Sequence, residues 1–325
     1  MERKQFIKNV TAMAALTGIN GICKTTPDET FGIHSEEASI DQITFGAVHL
    51  NNTNLNAATE FWTKVAGMKL RNATNELAEF GSENKTLVVV HQTATAPFRE
   101  GYSGLYHFAI HAPNKIEFAR MIQRLIVNNY SFSAIDHTMS KSIYLRDPDS
   151  VLVEFTLETP ERFKRIISEN GLYMEDTDGT LRGASDALNV HEQLKALPDK
   201  HSSVPIHKET KIGHIHFYAA QLDKTNEFYK KLGFTQFNYL EQYKYADVGA
   251  GGAYKHRVAM NSWHGINKPF APEGNAGLRY CNLVFESDLQ LNEALGKVVH
   301  YEKKANGYWL TDPSGNKLCL SSKQV

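Results

Sequence analysis

Cysteine is scarce. Three in 325 residues (Cys23, Cys281 and Cys319) are too few and too scattered for a disulfide framework or a cysteine zinc cage. An excess of one charge is missing too: Lys+Arg 35 against Asp+Glu 36 leaves a net charge of −1. With no global field to draw a polyanion, the balance argues against a non-specific nucleic-acid binder and against attraction to an anionic membrane. No stretch reaches 18 apolar residues, so no membrane-spanning helix is expected. What remains is length for two ordinary domains or one large one, and 42% hydrophobic with 10% aromatic residues to fill a core. Fourteen histidines are present, several inside strand-like segments. Histidine is a common metal ligand, so their placement carries the functional question.

The first 40 residues stand apart. Arg3-Lys4-Gln5-Phe6-Ile7-Lys8 precedes a mildly apolar run from Val10 to Ile22, and a polar stretch from Lys24 to Glu37 follows. A basic start and a short apolar middle give the shape of a secretory leader. It resembles a twin-arginine export signal with Lys4 in place of the second arginine. Ile22 before Cys23 is bulkier than a lipid-attachment site prefers. The expectation is an exported protein, with a cytoplasmic one carrying a plain N-terminal extension as the alternative.

Past residue 40 the chain repeats itself. One unit opens with Ile43-Thr44-Phe45-Gly46-Ala47-Val48-His49-Leu50 and continues into a helical segment ending Phe61-Trp62-Thr63-Lys64-Val65-Ala66-Gly67-Met68. A later unit opens Ile212-Gly213-His214-Ile215-His216-Phe217, and its helix ends Phe228-Tyr229-Lys230-Lys231-Leu232-Gly233-Phe234. In both, glycine closes the helix where a left-handed residue is needed. Two further units begin Gly104-Leu105-Tyr106-His107-Phe108-Ala109-Ile110 and Gly277-Leu278-Arg279-Tyr280-Cys281-Asn282-Leu283. They finish alike, with Asp147-Pro148-Asp149-Ser150 and Asp312-Pro313-Ser314-Gly315-Asn316, residues suited to tight hairpin turns. Four units of strand, helix and several strands predict α+β packing, helices covering one face of curled antiparallel sheets. The expected division is 41–157 for the first pair of units, 158–211 for a polar connector, and 212–325 for the second pair. Helical pieces are expected in the connector at Phe163–Glu169 and Val190–Leu197.

The strand–helix–Gly–apolar unit and the Asp-Pro hairpin resemble the vicinal oxygen chelate superfamily of glyoxalases, bleomycin-resistance proteins and extradiol dioxygenases. Four units at this spacing look like its two-domain catechol 2,3-dioxygenases. The nearest echoes are Gly104 to Ile110, Tyr144-Leu145-Arg146-Asp147-Pro148-Asp149, Gly213-His214-Ile215-His216 and Gly251-Gly252-Ala253-Tyr254-Lys255-His256. The resemblance implies four βαβββ modules forming two domains.

It also implies metal ligands on the first and last strands of a unit. The first-strand position falls on Ala47, His107, His214 and Tyr280; the last-strand position of the hairpin-ended units falls on Glu154 and Cys319. Ala47 has no donor, and Tyr280 with Cys319 is an implausible ferrous pair, which leaves His107, Glu154 and His214. Two histidines and a carboxylate form a facial triad suited to Fe(II), with Mn(II) as the alternative. For these three to meet, the second and third units must share one cup and the first and fourth the other. The resemblance further implies His256 as the acid/base group, Tyr144 as the substrate-contacting phenol and His137 as a further active-site histidine. Lys255 and Arg257 depart from the family pattern around His256. His49, His91, His111 and His216 are expected to be structural, and Trp263 to pack near the pocket. The implied activity is extradiol cleavage of a catechol by dioxygen. A glyoxalase-like metalloenzyme and a non-catalytic binding protein of the same fold are the alternatives. Whether the chain forms a homo-oligomer is left open.

Overall fold

The computed structural model describes residues 40–199 and 203–323; the expected leader, with Cys23, lies outside them. The first unit runs β1 (Ile43–Asn52), helix, β2 (Lys69–Ala73), β3 (Leu77–Gly81) and β4 (Thr86–Gln92). The second runs β5 (Gly104–His111), helix, β6 (Ser133–Asp136), β7 (Ser140–Arg146) and β8 (Leu152–Glu158). The connector carries β9 (Phe163–Ile167), β10 (Tyr173–Asp176), β11 (Leu181–Gly183) and β12 (Asp186–Ala187). The third unit has β13 (Lys211–Tyr218), helix, β14 (Thr235–Leu240), β15 (Tyr245–Gly249) and β16 (Val258–Asn261). The fourth has β17 (Gly277–Phe285), helix, β18 (Glu302–Lys304), β19 (Gly307–Thr311) and β20 (Lys317–Ser322). All four are βαβββ modules, and the fold is α+β.

The helix of the second unit is specified locally. In Lys115–Val127, the Asn114 side chain accepts from the backbone N–H groups of Ile116 and Glu117, satisfying two donors of the first turn. Phe118, Met121, Ile122 and Leu125 then fall on one buried stripe. The helices of the first and third units are followed by Gly67 at φ +75 and Gly233 at φ +104, the left-handed residues that the repeats required. In the turn after β7, the Asp147 carboxylate accepts from the N–H groups of Asp149 and Val151, and Asp312 does the same for Ser314 and Asn316. The acid thereby supplies the acceptors that a tight turn leaves its amides seeking.

The sheets cut across the chain order. β5 pairs antiparallel with β13, so the second and third units share a nine-stranded sheet, ordered β12-β6-β7-β8-β5-β13-β16-β15-β14. β1 pairs antiparallel with β17, joining the first and fourth units in an eight-stranded sheet. Each sheet therefore takes one unit from either side of the connector. Between the two sheets the helices and apolar strand faces form one continuous core, with Trp62, Phe108, Phe118 and Phe155 fully buried.

The connector departs from expectation. Val190–Leu194 is helical, but Phe163–Ile167 is a strand. Its Phe163 and Ile166 pack, and β9 pairs with β10 in a three-stranded sheet, so β-branched and aromatic side chains outweigh the helical spacing. Leu172, Met174 and Ala184 from this segment join Met139 and Tyr254 in a second apolar cluster over the nine-stranded sheet. The connector is a lid, not a linker.

Candidate metal centre and its pocket

β5 and β13 run side by side at the middle of the nine-stranded sheet, with His107 opposite His216 and His214 opposite Ala109. β8 pairs with β5 so that Glu154 lies beside Ala109. This register brings together three buried side chains. The Glu154 Oε2 atom is 3.0 Å from His107 Nε2 and 3.0 Å from His214 Nε2, and the two nitrogens are 3.3 Å apart. Among the described residues, no other trio of His, Cys, Asp or Glu converges in this way.

The donor set fits a divalent ion. If both nitrogens carried protons, two N–H bonds would point at each other; if neither did, Glu154 Oε2 would lose both imidazole donors, leaving the carboxylate only the Thr156 hydroxyl on Oε1. A cation between the three satisfies all of them at once. Bonds of about 2.0–2.2 Å to nitrogen and oxygen would set cis ligands of an octahedron about 3 Å apart. Burial opposes charge on Glu154, yet Coulombic attraction and hydrogen bonding from His214 and His107 outweigh it, holding the carboxyl well below its usual range. Burial pushes His214 well below the usual imidazole range, against the pull of Glu154. An ionised carboxylate and a neutral imidazole are the forms that bind metal.

A cavity opens beside the trio, lined by Tyr144, His137, His216, Tyr245, Asp247, Tyr254, His256 and Trp263, and capped by Ile166, Leu172, Met174 and Leu240. His256 lies at its wall, ring 4.7 Å from that of His214. Its Nδ1 meets Asp247 Oδ2 at 2.7 Å, and the Tyr245 hydroxyl donates to the same oxygen at 2.8 Å. Asp247 Oδ1 accepts from the Asn238 amide and side chain. A fully bonded, buried carboxylate thus orients His256 with Nδ1–H toward Asp247, freeing Nε2.

Tyr144 pairs with Glu154 across β7 and β8, its ring 5.5 Å from His107. Its hydroxyl is 3.0 Å from His137 Nε2, while His137 Nδ1 donates to the Ala184 carbonyl at 2.6 Å. That second contact fixes the tautomer: Tyr144 donates and His137 accepts. Burial raises the Tyr144 phenol well above its ordinary range, with the negative charge of Glu154 adding to it. His216 is buried, with Asn261 Nδ2 at 2.8 Å from its Nε2, and faces the cavity without joining the trio. Trp263 lines the cavity as expected.

Residues 39–155 match the model of the "Glyoxalase/Bleomycin resistance protein/Dioxygenase superfamily". This part of the chain is a domain of that superfamily. A Bacillus subtilis (strain 168) protein named catechol-2,3-dioxygenase is 27% identical over 277 residues, 82% of this chain and 93% of its own. Among solved structures, one from the same bacterium, described only provisionally as a dioxygenase, superposes with a TM-score of 0.53 at 11% identity. The match spans 87% of this chain and 86% of that one. A glyoxalase I mutant from Zea mays superposes with a TM-score of 0.51 at 13% identity, over 87% and 94%. At such identities the structures speak for the fold alone. The superfamily match over residues 39–155 and the His/Glu/His cluster together fit a metal site of vicinal oxygen chelate type.

Ala47 lies on β1 in the other sheet, away from this cup. Two residues beyond each histidine of the trio, Ala109 pairs with Glu154 on β8 and His216 pairs with Ala259 on β16. The counterpart of Glu154 is therefore Ala259, which has no donor. His111, expected to be merely structural, touches the trio: its Nε2 is 2.8 Å from His214 Nδ1. The sequence reading also missed Asp247, Tyr245 and Tyr254. Alternation along β15 places Tyr245 and Asp247 on one face, a signal legible only once β15 is known to flank β16.

In the eight-stranded sheet the equivalent positions hold no such trio. His49 stacks on Tyr280 at 3.9 Å and its Nδ1 is 3.1 Å from His91 Nε2. Cys319 donates to the Asn306 carbonyl.

Proposed function

We propose that the protein is an Fe(II)-dependent extradiol dioxygenase acting on a catechol, with His107, Glu154 and His214 as the ligands. One observation carries the reading: a trio with ligand atoms 3.0–3.3 Å apart, whose fourth position is Ala259 and whose open side is a pocket walled by an oriented histidine. A three-ligand ferrous site leaves open positions, where a glyoxalase-type site uses a fourth protein ligand. The ion would supply a Lewis acid and a common meeting point for both vicinal oxygens of the catechol and for dioxygen.

The chain's own groups do the rest. His256 Nε2, held toward the cavity by Asp247, accepts a proton from a catechol hydroxyl and returns it as the ring opens. Tyr144 and His137 form a hydrogen-bonded pair beside Glu154 that presents a phenol to the substrate oxygens. The lid residues Leu172 and Met174 shut the aromatic ring away from water. Both oxygen atoms enter the product, a semialdehyde formed by cleavage of the ring bond beside the diol. The relative named catechol-2,3-dioxygenase supports the same chemistry.

The test is bound metal per chain, measured together with formation of a yellow product from catechol by the Fe(II)-reconstituted protein under air. His214→Ala should lose the metal while keeping its fold. Tyr280→Phe and Cys319→Ser, at the equivalent positions of the other sheet, should keep it. Full metal occupancy in His214→Ala, or an Fe(II)-loaded wild type inert toward catechols, would sink the proposal.

A further inference from the structure

Behind His214 lies a buried chain of contacts that the proposed chemistry does not use. His214 Nδ1 is 2.8 Å from His111 Nε2. His111 Nδ1 is 2.7 Å from Glu158 Oε1. Arg257 Nη1 donates to that same oxygen at 2.7 Å and to the Gly213 carbonyl at 3.1 Å. Its Nη2 meets Asp41 Oδ2 at 2.8 Å. The five residues come from β5, β8, β13, the turn before β16 and the segment before β1. His107 has nothing comparable: its Nδ1 is buried without a partner.

We propose that His111, Glu158 and Arg257 are positioning residues that fix the tautomer and ring plane of His214 so that Nε2 presents a lone pair to the metal. The proposal rests on the reading of the trio as metal ligands. An ionised carboxylate only accepts, so His111 Nδ1–H donates to Glu158 and Nε2 of that ring is left as an acceptor. His214 Nδ1 must then be the donor, which places its lone pair on Nε2. The opposite tautomer of His214 would put a proton where the metal binds. Arg257 keeps the relay in this state. Its Nη1 donates to the same Glu158 oxygen that accepts from His111, and so holds that carboxylate in place behind the ring. The sequence departure at Arg257, next to His256, thus has a place in the same site.

The packing shows that the relay is built. A Cβ at Gly213 would lie 2.1–2.2 Å from His111 ring atoms, so only glycine lets that ring slide behind its neighbour His214. His111 and Arg257 are almost fully buried. Outer partners of this kind typically contribute ~10–100-fold to metal affinity.

The experiment is titration of metal-free full-length protein with Co(II), reading the dissociation constant and the visible absorption bands, with circular dichroism and Tm of the apo-protein alongside. His111→Leu should weaken binding by ~10–100-fold. His111→Gln should restore most of that loss, because its amide oxygen can still accept from His214 Nδ1; a role in packing alone would not distinguish the two. Glu158→Gln tests the far end without removing the ring, and should weaken binding less than His111→Leu while shifting the Co(II) bands. Wild-type affinity in both His111→Leu and Glu158→Gln would overturn the relay and leave the trio standing. A wild type that takes up no Co(II) would overturn the trio, and the relay with it.

Discussion

Asp247→Asn isolates the orientation of His256 from its chemistry. In the native chain Asp247 Oδ2 accepts from His256 at 2.7 Å and from Tyr245 at 2.8 Å, inside a carboxylate that is 1% exposed. Asparagine keeps the volume and one acceptor but removes the charge. A hydrogen bond to a charged group contributes about 1.5–3 kcal/mol. If that energy holds the imidazole in its reactive tautomer, kcat should fall about 10–150-fold, since each 1.36 kcal/mol is tenfold in rate. His256→Ala removes the acid/base group itself and should cost ~10²–10⁴-fold. The assay is steady-state ring cleavage by iron-loaded variants, with metal content checked in each. Because Asp247 acts through His256, the double variant should be no slower than His256→Ala alone. A double variant slower by the full product of the two single effects would refute the coupling. An unchanged kcat in His256→Ala would show that another residue moves the proton, with His137 next to test; metal loss in that variant would instead mean that His256 is a fourth ligand.

Two further outcomes are expected. Tyr144→Phe should keep the metal yet slow turnover by about tenfold, because it leaves His137 Nε2 buried without a donor and removes one hydrogen bond to substrate, checked by kcat and bound iron in parallel. His49 is pushed down to about 3, by burial first and then by His91 and Arg279. Unfolded, it takes a proton near 6.5, so its cost is absent above that pH and grows as pH falls from 6.5 toward 3. Between pH 7 and 4.5 His49→Asn should therefore lose less stability than the wild type, by at most about 3 kcal/mol, read from urea unfolding at both pH values. Equal losses would show that His49 gains its proton in the folded chain.

The repeat, the glycines that end its helices and the aspartates that begin its turns were legible in the sequence, because each is set by residues a few positions apart. So were the three residues of the trio, once Ala47, Tyr280 and Cys319 were set aside on donor chemistry. Which units share a sheet was legible only by inference from that trio, since pairing of β5 with β13 joins positions about a hundred residues apart. The missing fourth ligand was beyond reach for the same reason: Ala259 matters only because β16 lies beside β13. His111 and Arg257 read as an ordinary strand histidine and a stray cation until Gly213 and the sheet register bring both behind His214. The connector looked polar because its exposed strand residues include Lys164, Arg165 and Asp186, and its apolar side had no visible partner along the chain. Local chemistry is written in neighbouring residues, whereas the partner of a buried nitrogen is chosen by strands that meet only after folding.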